Sequence, residues 1–161
     1  MATPTTLPSS FTAGNVLSAS QMNNLRGAFR VLQVVSGTAT TAVASASATI
    51  VDTGCTATIT PSSTTSKILV YVTQSTYTFG AGTSGVMYLY RGATALQQFS
   101  DIGYCPGSNL LSNWTTAILD SPSTTSAVTY KTAQARGLGG GTYYTQVNSN
   151  PGTIVLMEIS A

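Results

Sequence analysis

The sequence predicts an all-β chain, an antiparallel β-sandwich, and three observations carry that prediction. Residues 48–60 alternate, with Val51, Cys55, Ala57 and Ile59 on one face and Asp52, Thr56, Thr58 and Thr60 on the other, which is the period of a half-buried strand. The same texture returns along most of the chain, where 28 Thr and 20 Ser supply the polarity that charged residues, at 6%, do not. Turn residues separate short apolar runs at regular intervals, as they do in sandwiches. At 161 residues the chain suits one domain plus a short appendage, and a domain of about 150 residues buries roughly 70% of its unfolded surface.

Residues 1–16 carry Pro4, Pro8 and Gly14 among hydroxyl residues, with only Leu7, Phe11 and Val16 as large apolar side chains, and read as an extended arm. A short helix is expected over 19–26. Ser18 caps it, Gln21 completes a capping box, Leu17 packs on Met22 as a hydrophobic staple, and Gly27 supplies the stop. Its apolar stripe, Met22, Leu25 and Phe29, is too small to hold a helix alone, so the segment needs a surface to sit on. Residues 1–30 are therefore read as an anchoring segment and residues 31–161 as the β-sandwich domain.

Strands are expected near residues 31–36, 48–60, 67–78, 85–91, 94–99, 113–120, 127–135, 142–147 and 153–159. Pro61 and Pro122 end strands because proline cannot donate to a ladder. Arg91-Gly92-Ala93 marks a hairpin tip. The runs Ile68-Leu69-Val70-Tyr71-Val72 and Ile154-Val155-Leu156-Met157 are apolar on both faces. Such strands belong in the middle of a sheet, covered once by the opposite sheet and once by something outside, such as another subunit.

Chemistry is mostly excluded by what is missing. Without histidine there is no Ser-His or Cys-His pair. The acids are Asp52, Asp101, Asp120 and Glu158. They are too few and too scattered for a paired-carboxylate hydrolase or a calcium cage. Glu158, beside Leu156 in an apolar strand, must lie at a strand end or meet an Arg or Lys. No metal or cofactor is expected. Gly137-Leu138-Gly139-Gly140-Gly141 lacks the Lys-Ser or Lys-Thr of a phosphate loop and reads as a loop tip.

The basic residues Arg26, Arg30, Lys67, Arg91, Lys131 and Arg136 are dispersed and the net charge is +2, so nucleic-acid binding is not expected. There is no basic n-region with an apolar stretch after it and no window of about 18 apolar residues. Neither export nor membrane insertion is therefore expected. Cys55 on a buried strand face and Cys105 in Gly-Tyr-Cys-Pro-Gly are read as free thiols.

Three stretches resemble small virion proteins of tailed bacteriophages, of the tail-fibre or minor structural type. Phe11 to Leu25 resembles their N-terminal attachment segment, while Thr56 to Val70 and Leu119 to Lys131 resemble the strand-turn-strand phrases of their β domain. The resemblance implies a jelly-roll-like sandwich, commonly a homotrimer. It also implies display on the virus particle, with Phe11, Leu17, Ser18, Gln21, Met22, Leu25 and Phe29 meeting other virion proteins.

Two roles follow. A tail-fibre or tail-spike type module would touch a host glycan or protein, and the candidate contacts are Tyr77, Phe79, Tyr104, Trp114, Tyr143 and Tyr144, which lie in or beside Gly/Ser-rich segments. The alternative is a capsid decoration protein that clamps shell subunits. No enzymatic role is expected for either.

Overall fold

Alternating Thr and β-branched or aromatic residues build strands wherever one side chain in two is buried. The computed structural model describes residues 31–100 and 104–160. Among them run β1 (Val31–Ala39), β2 (Val43–Ser45), β3 (Val51–Ile59), β4 (Lys67–Phe79), β5 (Gly85–Arg91), β6 (Thr94–Ser100), β7 (Asn109–Asp120), β8 (Val128–Arg136), β9 (Thr142–Thr145) and β10 (Gly152–Ile159), with a 3-10 turn at Val147–Ser149. The expected arm and helix, with Phe11, Leu17, Ser18, Gln21, Met22, Leu25 and Phe29, lie outside the described residues, as does Asp101.

All pairings are antiparallel, in two sheets. In the first, β10 pairs with residues 67–73 of β4 and β9 with residues 76–79 of the same edge, while β7 runs along the other edge from Asp120 to Asn109. β1 pairs with β10, and β2 with β9. This sheet is thus four ribbons wide: β1 with β2, β10 with β9, β4, and β7. The second sheet has the order β3-β8-β5-β6. Apart from the β5–β6 hairpin, successive ribbons cross between the sheets as in a jelly roll, two Greek keys folded into a sandwich.

Two local devices shape the ribbons. In β3 the register with β8 shifts between Asp52 and Thr56, and Gly54 takes φ 79° there, the backbone a bulge requires. Between β9 and β10 the chain loops out through Gln146, Asn148 and Ser149, all at positive φ, while β4 passes beneath with only Gln74 and Ser75. The loop is tied down by Gln146 N–H donating to Ser75 O and by Ser75 Oγ donating to Asn150 O, each at 3.2 Å.

The sandwich has two distinct ends. At the terminal end lie Val31, Ile159 and Lys67, which share one row of the sheet, together with turns 60–66, 92–93 and 121–127. At the loop end lie the connections 46–50, 80–84, 104–108 and 137–141. The interior changes in character in the same direction. Cys55, Ala57, Ile59, Ile68, Val70, Val72, Leu89, Tyr130, Ile154 and Leu156 form an apolar cluster toward the terminal end.

Toward the loop end many buried positions are polar, beside the buried apolar Met87, Cys105 and Tyr143. Thr53, Gln74, Thr76, Thr78, Thr132, Gln134, Thr145 and Gln146 are all buried there. Thr132 Oγ1 donates to Gln74 Oε1 at 3.0 Å and lies against Thr53 Oγ1, and Gln134 Nε2 donates to Val43 O at 2.8 Å. Buried polar groups must find such partners or the fold loses stability.

The expected strands are present, and the largest boundary differences lie at β1, which runs to Ala39 instead of 36, and at β3 and β7. β7 begins at Asn109 instead of 113, and β3 begins at Val51 instead of 48. β2 occupies a stretch with no strand signal of its own, because its Ala/Ser-rich surroundings have weak strand propensity. Its pairing with β9 overrides that preference.

Candidate contact surface

Because Gln74, Thr76 and Thr78 of β4 point inward, Ser75, Tyr77 and Phe79 point outward from the first sheet. Tyr77 stands opposite Tyr144 of β9 on one side and Leu111 of β7 on the other. The Tyr77 ring lies 5.8 Å from that of Tyr144 and 6.4 Å from that of Phe79, both tilted contacts. Tyr77 OH donates to Asn109 Oδ1 at 2.9 Å, which fixes the ring at the loop end of the sheet. Phe79 is 52% exposed and Leu111 65%.

The loops beside this cluster are zipped together. Gly80 N–H donates to Ser108 O, Gly82 N–H to Cys105 O and Cys105 N–H to Thr83 O, each at 2.8 Å. Ser84 N–H donates to Leu138 O at 3.1 Å, Leu138 N–H returns a bond to Ser84 Oγ at 2.8 Å, and Gly141 N–H donates to Thr83 Oγ1 at 3.0 Å. Tyr104 is exposed within this zipped rim. The end is therefore a stiff platform carrying aromatic faces, suited to stacking on apolar or sugar-ring surfaces.

Of the six aromatics expected at contact loops, Tyr77, Phe79 and Tyr144 come together and Tyr104 lies at the same end. Trp114 and Tyr143 do not join them. Trp114 sits in β7 opposite Gln74, partly buried, with its Nε1–H donating to Thr76 Oγ1 at 3.0 Å. Tyr143 is fully buried, and its ring fills the place that a Cβ on Gly85 would take. Both therefore pack the interior, because strand alternation assigns them to the inner face. Leu111 and Asn109 join the cluster without a sequence signal, because they precede residue 113, where the sequence places the start of the strand.

Among the described residues the charged groups are tied up in structural contacts. Arg91 Nη1 reaches both Asp120 oxygens, at 2.9 and 2.8 Å, and Tyr130 OH donates to Asp120 Oδ2 at 2.6 Å. Burial, reinforced by the Asp120 carboxylate, pushes the Tyr130 phenol pKa up. Lys131 pairs with Asp52 at 2.7 Å on the outer face of the second sheet.

Glu158 meets neither Arg nor Lys. Its carboxylate accepts from Ser62 N–H, Ser62 Oγ and Gln33 Nε2, at 2.7, 2.6 and 2.6 Å. Burial alone would raise its pKa, but these hydrogen bonds outweigh burial and hold it below the usual value. Cys55 and Cys105 are buried free thiols, and burial pushes Cys55 up to about 11. Among the described residues no three of His, Cys, Asp and Glu gather as metal ligands, and no helix is long and apolar enough to cross a membrane.

No family model and no curated protein matches this sequence. Among solved structures, the chain is similar to the VP2 subviral particle of infectious bursal disease virus, with 17% identity and a TM-score of 0.41 over 80% of this chain. It is also similar to the structure of the Gt strain of that virus, with 15% identity and a TM-score of 0.41 over 83% of this chain. In both cases the match spans 38% of the other chain.

Proposed function

We propose that this chain is a non-enzymatic structural protein of a tailed-bacteriophage particle, displayed on its surface as a tail-fibre type module. Residues 1–30 attach it to other virion proteins, and the loop end faces outward toward the host. The observation that carries this reading is the polarity of the sandwich. Val31, where residues 1–30 join the β domain, lies at one end, and Tyr77, Phe79, Tyr104 and Tyr144 cluster at the other. A module that must be held and must touch something else at the same time needs that separation. The sequence resemblance in Phe11 to Leu25 supports attachment by this segment, and the aromatic platform suits a host glycan.

Capsid decoration is the second reading. It is favoured by the single two-sheet sandwich that takes up all ten strands of the described residues, a short body that can sit directly on a shell.

Immunogold labelling of intact particles with an antibody to the β domain tests both readings. Gold confined to the tail supports the first, and gold spread over the head replaces it with the second. Unlabelled particles, with the protein present only in infected-cell lysate, overturn the virion reading altogether.

A further inference from the structure

Five side-chain atoms buried toward the loop end have no hydrogen-bond partner among the described residues: Gln74 Nε2, Gln134 Oε1, Thr145 Oγ1 and both amide atoms of Gln146. Each of these four residues is 0% exposed. A buried donor or acceptor that gives up solvent and gains no partner costs more than an ordinary hydrogen bond contributes. Five together would offset much of the stability of a domain this size, so something must meet them.

The five atoms are gathered about one place. Gln74 and Gln146 bring their amide nitrogens over the bare backbone of Gly152, where a Cβ would stand 2.6 Å from the first and 2.9 Å from the second. From Gln74 the path crosses the sandwich, since Thr132 Oγ1 donates to Gln74 Oε1 at 3.0 Å. Gln134, two residues further along β8 and buried like Thr132, donates its Nε2 to Val43 O. Val43 pairs with Thr145, and Thr145 leads into Gln146. These links close a ring through both sheets.

Turning the side chains does not remove the need. With N and O of the Gln74 amide exchanged, its oxygen would face Gln146 Nε2, yet Gln146 Oε1, Gln134 Oε1 and Thr145 Oγ1 would stay unmet. Gln134 cannot turn without giving up its bond to Val43 O.

The mixture of groups identifies the occupant. An anion suits the amide N–H groups and not the two amide oxygens, and a cation suits the oxygens and not the N–H groups. An ion of either sign would also lie in the interior with no opposite charge in the ring, whose members are glutamines and threonines. Water donates and accepts at once. At about three bonds for each buried molecule, about two molecules serve the five atoms.

We infer that Gln74, Gln134, Thr145 and Gln146 build an internal binding site for ordered water, beneath the loop end of the sandwich. The inference does not rest on the virion reading.

A crystal structure of the full chain, at a resolution that shows ordered solvent, tests it. Water oxygens should lie within hydrogen-bond distance of both Gln146 amide atoms and should bridge them to Gln74 and to Thr145 or Gln134. Gln146→Met keeps the side-chain length and removes two of the five atoms, and the sign of its effect is a second measurement. If water holds the Gln146 amide, the variant should have a lower thermal midpoint than the wild type.

A higher midpoint overturns the inference, because the amide is then simply unmet. So does electron density in which the four side chains bond directly to one another with no solvent between them. Anomalous density at the ring in crystals soaked in bromide or rubidium overturns it as well, since the occupant is then an ion.

Discussion

Ser62 donates two hydrogen bonds to one oxygen of Glu158, from its backbone N–H at 2.7 Å and its hydroxyl at 2.6 Å, and so fastens the turn after β3 to the end of the last strand. Gln33 of β1 holds the other oxygen. A carboxylate with a lowered folded-state pKa contributes stability that is complete above its unfolded pKa and is lost as pH falls through the folded value. Denaturant midpoints should therefore fall on acidification below the ordinary glutamate range. Glu158→Gln should cost on the order of 2 kcal/mol at neutral pH and flatten that acid slope. An unchanged slope in the variant would assign the acid sensitivity to other groups.

Gly85 and Tyr143 make the second prediction. No side chain fits at residue 85 while the Tyr143 ring lies against its Cα. Gly85→Ala should destabilise the domain by about 1–3 kcal/mol through overpacking, read as a lower thermal midpoint. Pairing it with Tyr143→Leu should recover some of the loss.

The thiols give a chemical test of the interior. Cys55 is buried with its pKa raised, and Cys105 is buried with its Sγ directed at Gly107 O, 3.2 Å away. Because the thiolate is the reactive species, neither should react with Ellman's reagent in the native protein at neutral pH, and both should react once denaturant unfolds it. Rapid native labelling of Cys105 would mean that the zipped rim opens readily.

Phe79 and Tyr144 separate contact from stability. Phe79→Ser with Tyr144→Ser changes outward-facing side chains, so the thermal midpoint should move little, each substitution contributing within about 0.5 kcal/mol. On a glycan array the double variant should lose any selective signal given by the wild type. Equal binding by both proteins would remove the platform from the host-contact role.

Much of this architecture is legible in the chain. The alternation of Cys55, Ala57 and Ile59 with threonines assigns the buried face of β3 without any structure, and the two-sided apolar runs correctly mark β4 and β10 as central strands. Trp114 is also legible in principle, since it shares the parity of Ile118, which packs against the core. Its aromatic character suggests a contact residue, but its phase along the strand decides the matter and turns it inward.

Other features are beyond local pattern. Tyr143 and Tyr144 are adjacent and alike, and it is the pairing of Tyr143 with inward-facing Thr78, with room left by Gly85 across the sandwich, that turns Tyr143 inward. That β9 and β10 share one edge of β4 depends on contacts between residues far apart in sequence, which periodicity does not encode. The concentration of buried amide and hydroxyl side chains toward the loop end likewise emerges only when β3, β4, β8 and β9 are aligned.

The shared end of Val31 and Ile159 has a mechanical consequence. β1 pairs with β10 from Val31 opposite Ile159 to Ala39 opposite Gly152. A pull applied at Val31 and resisted at the zipped rim acts along the strand axis, so the whole ladder bears the load in shear and its hydrogen bonds must break together. Tension from the opposite direction, entering through a loop, would meet that same ladder in line. Under such a load β1 would shear along β10 and would not peel from it.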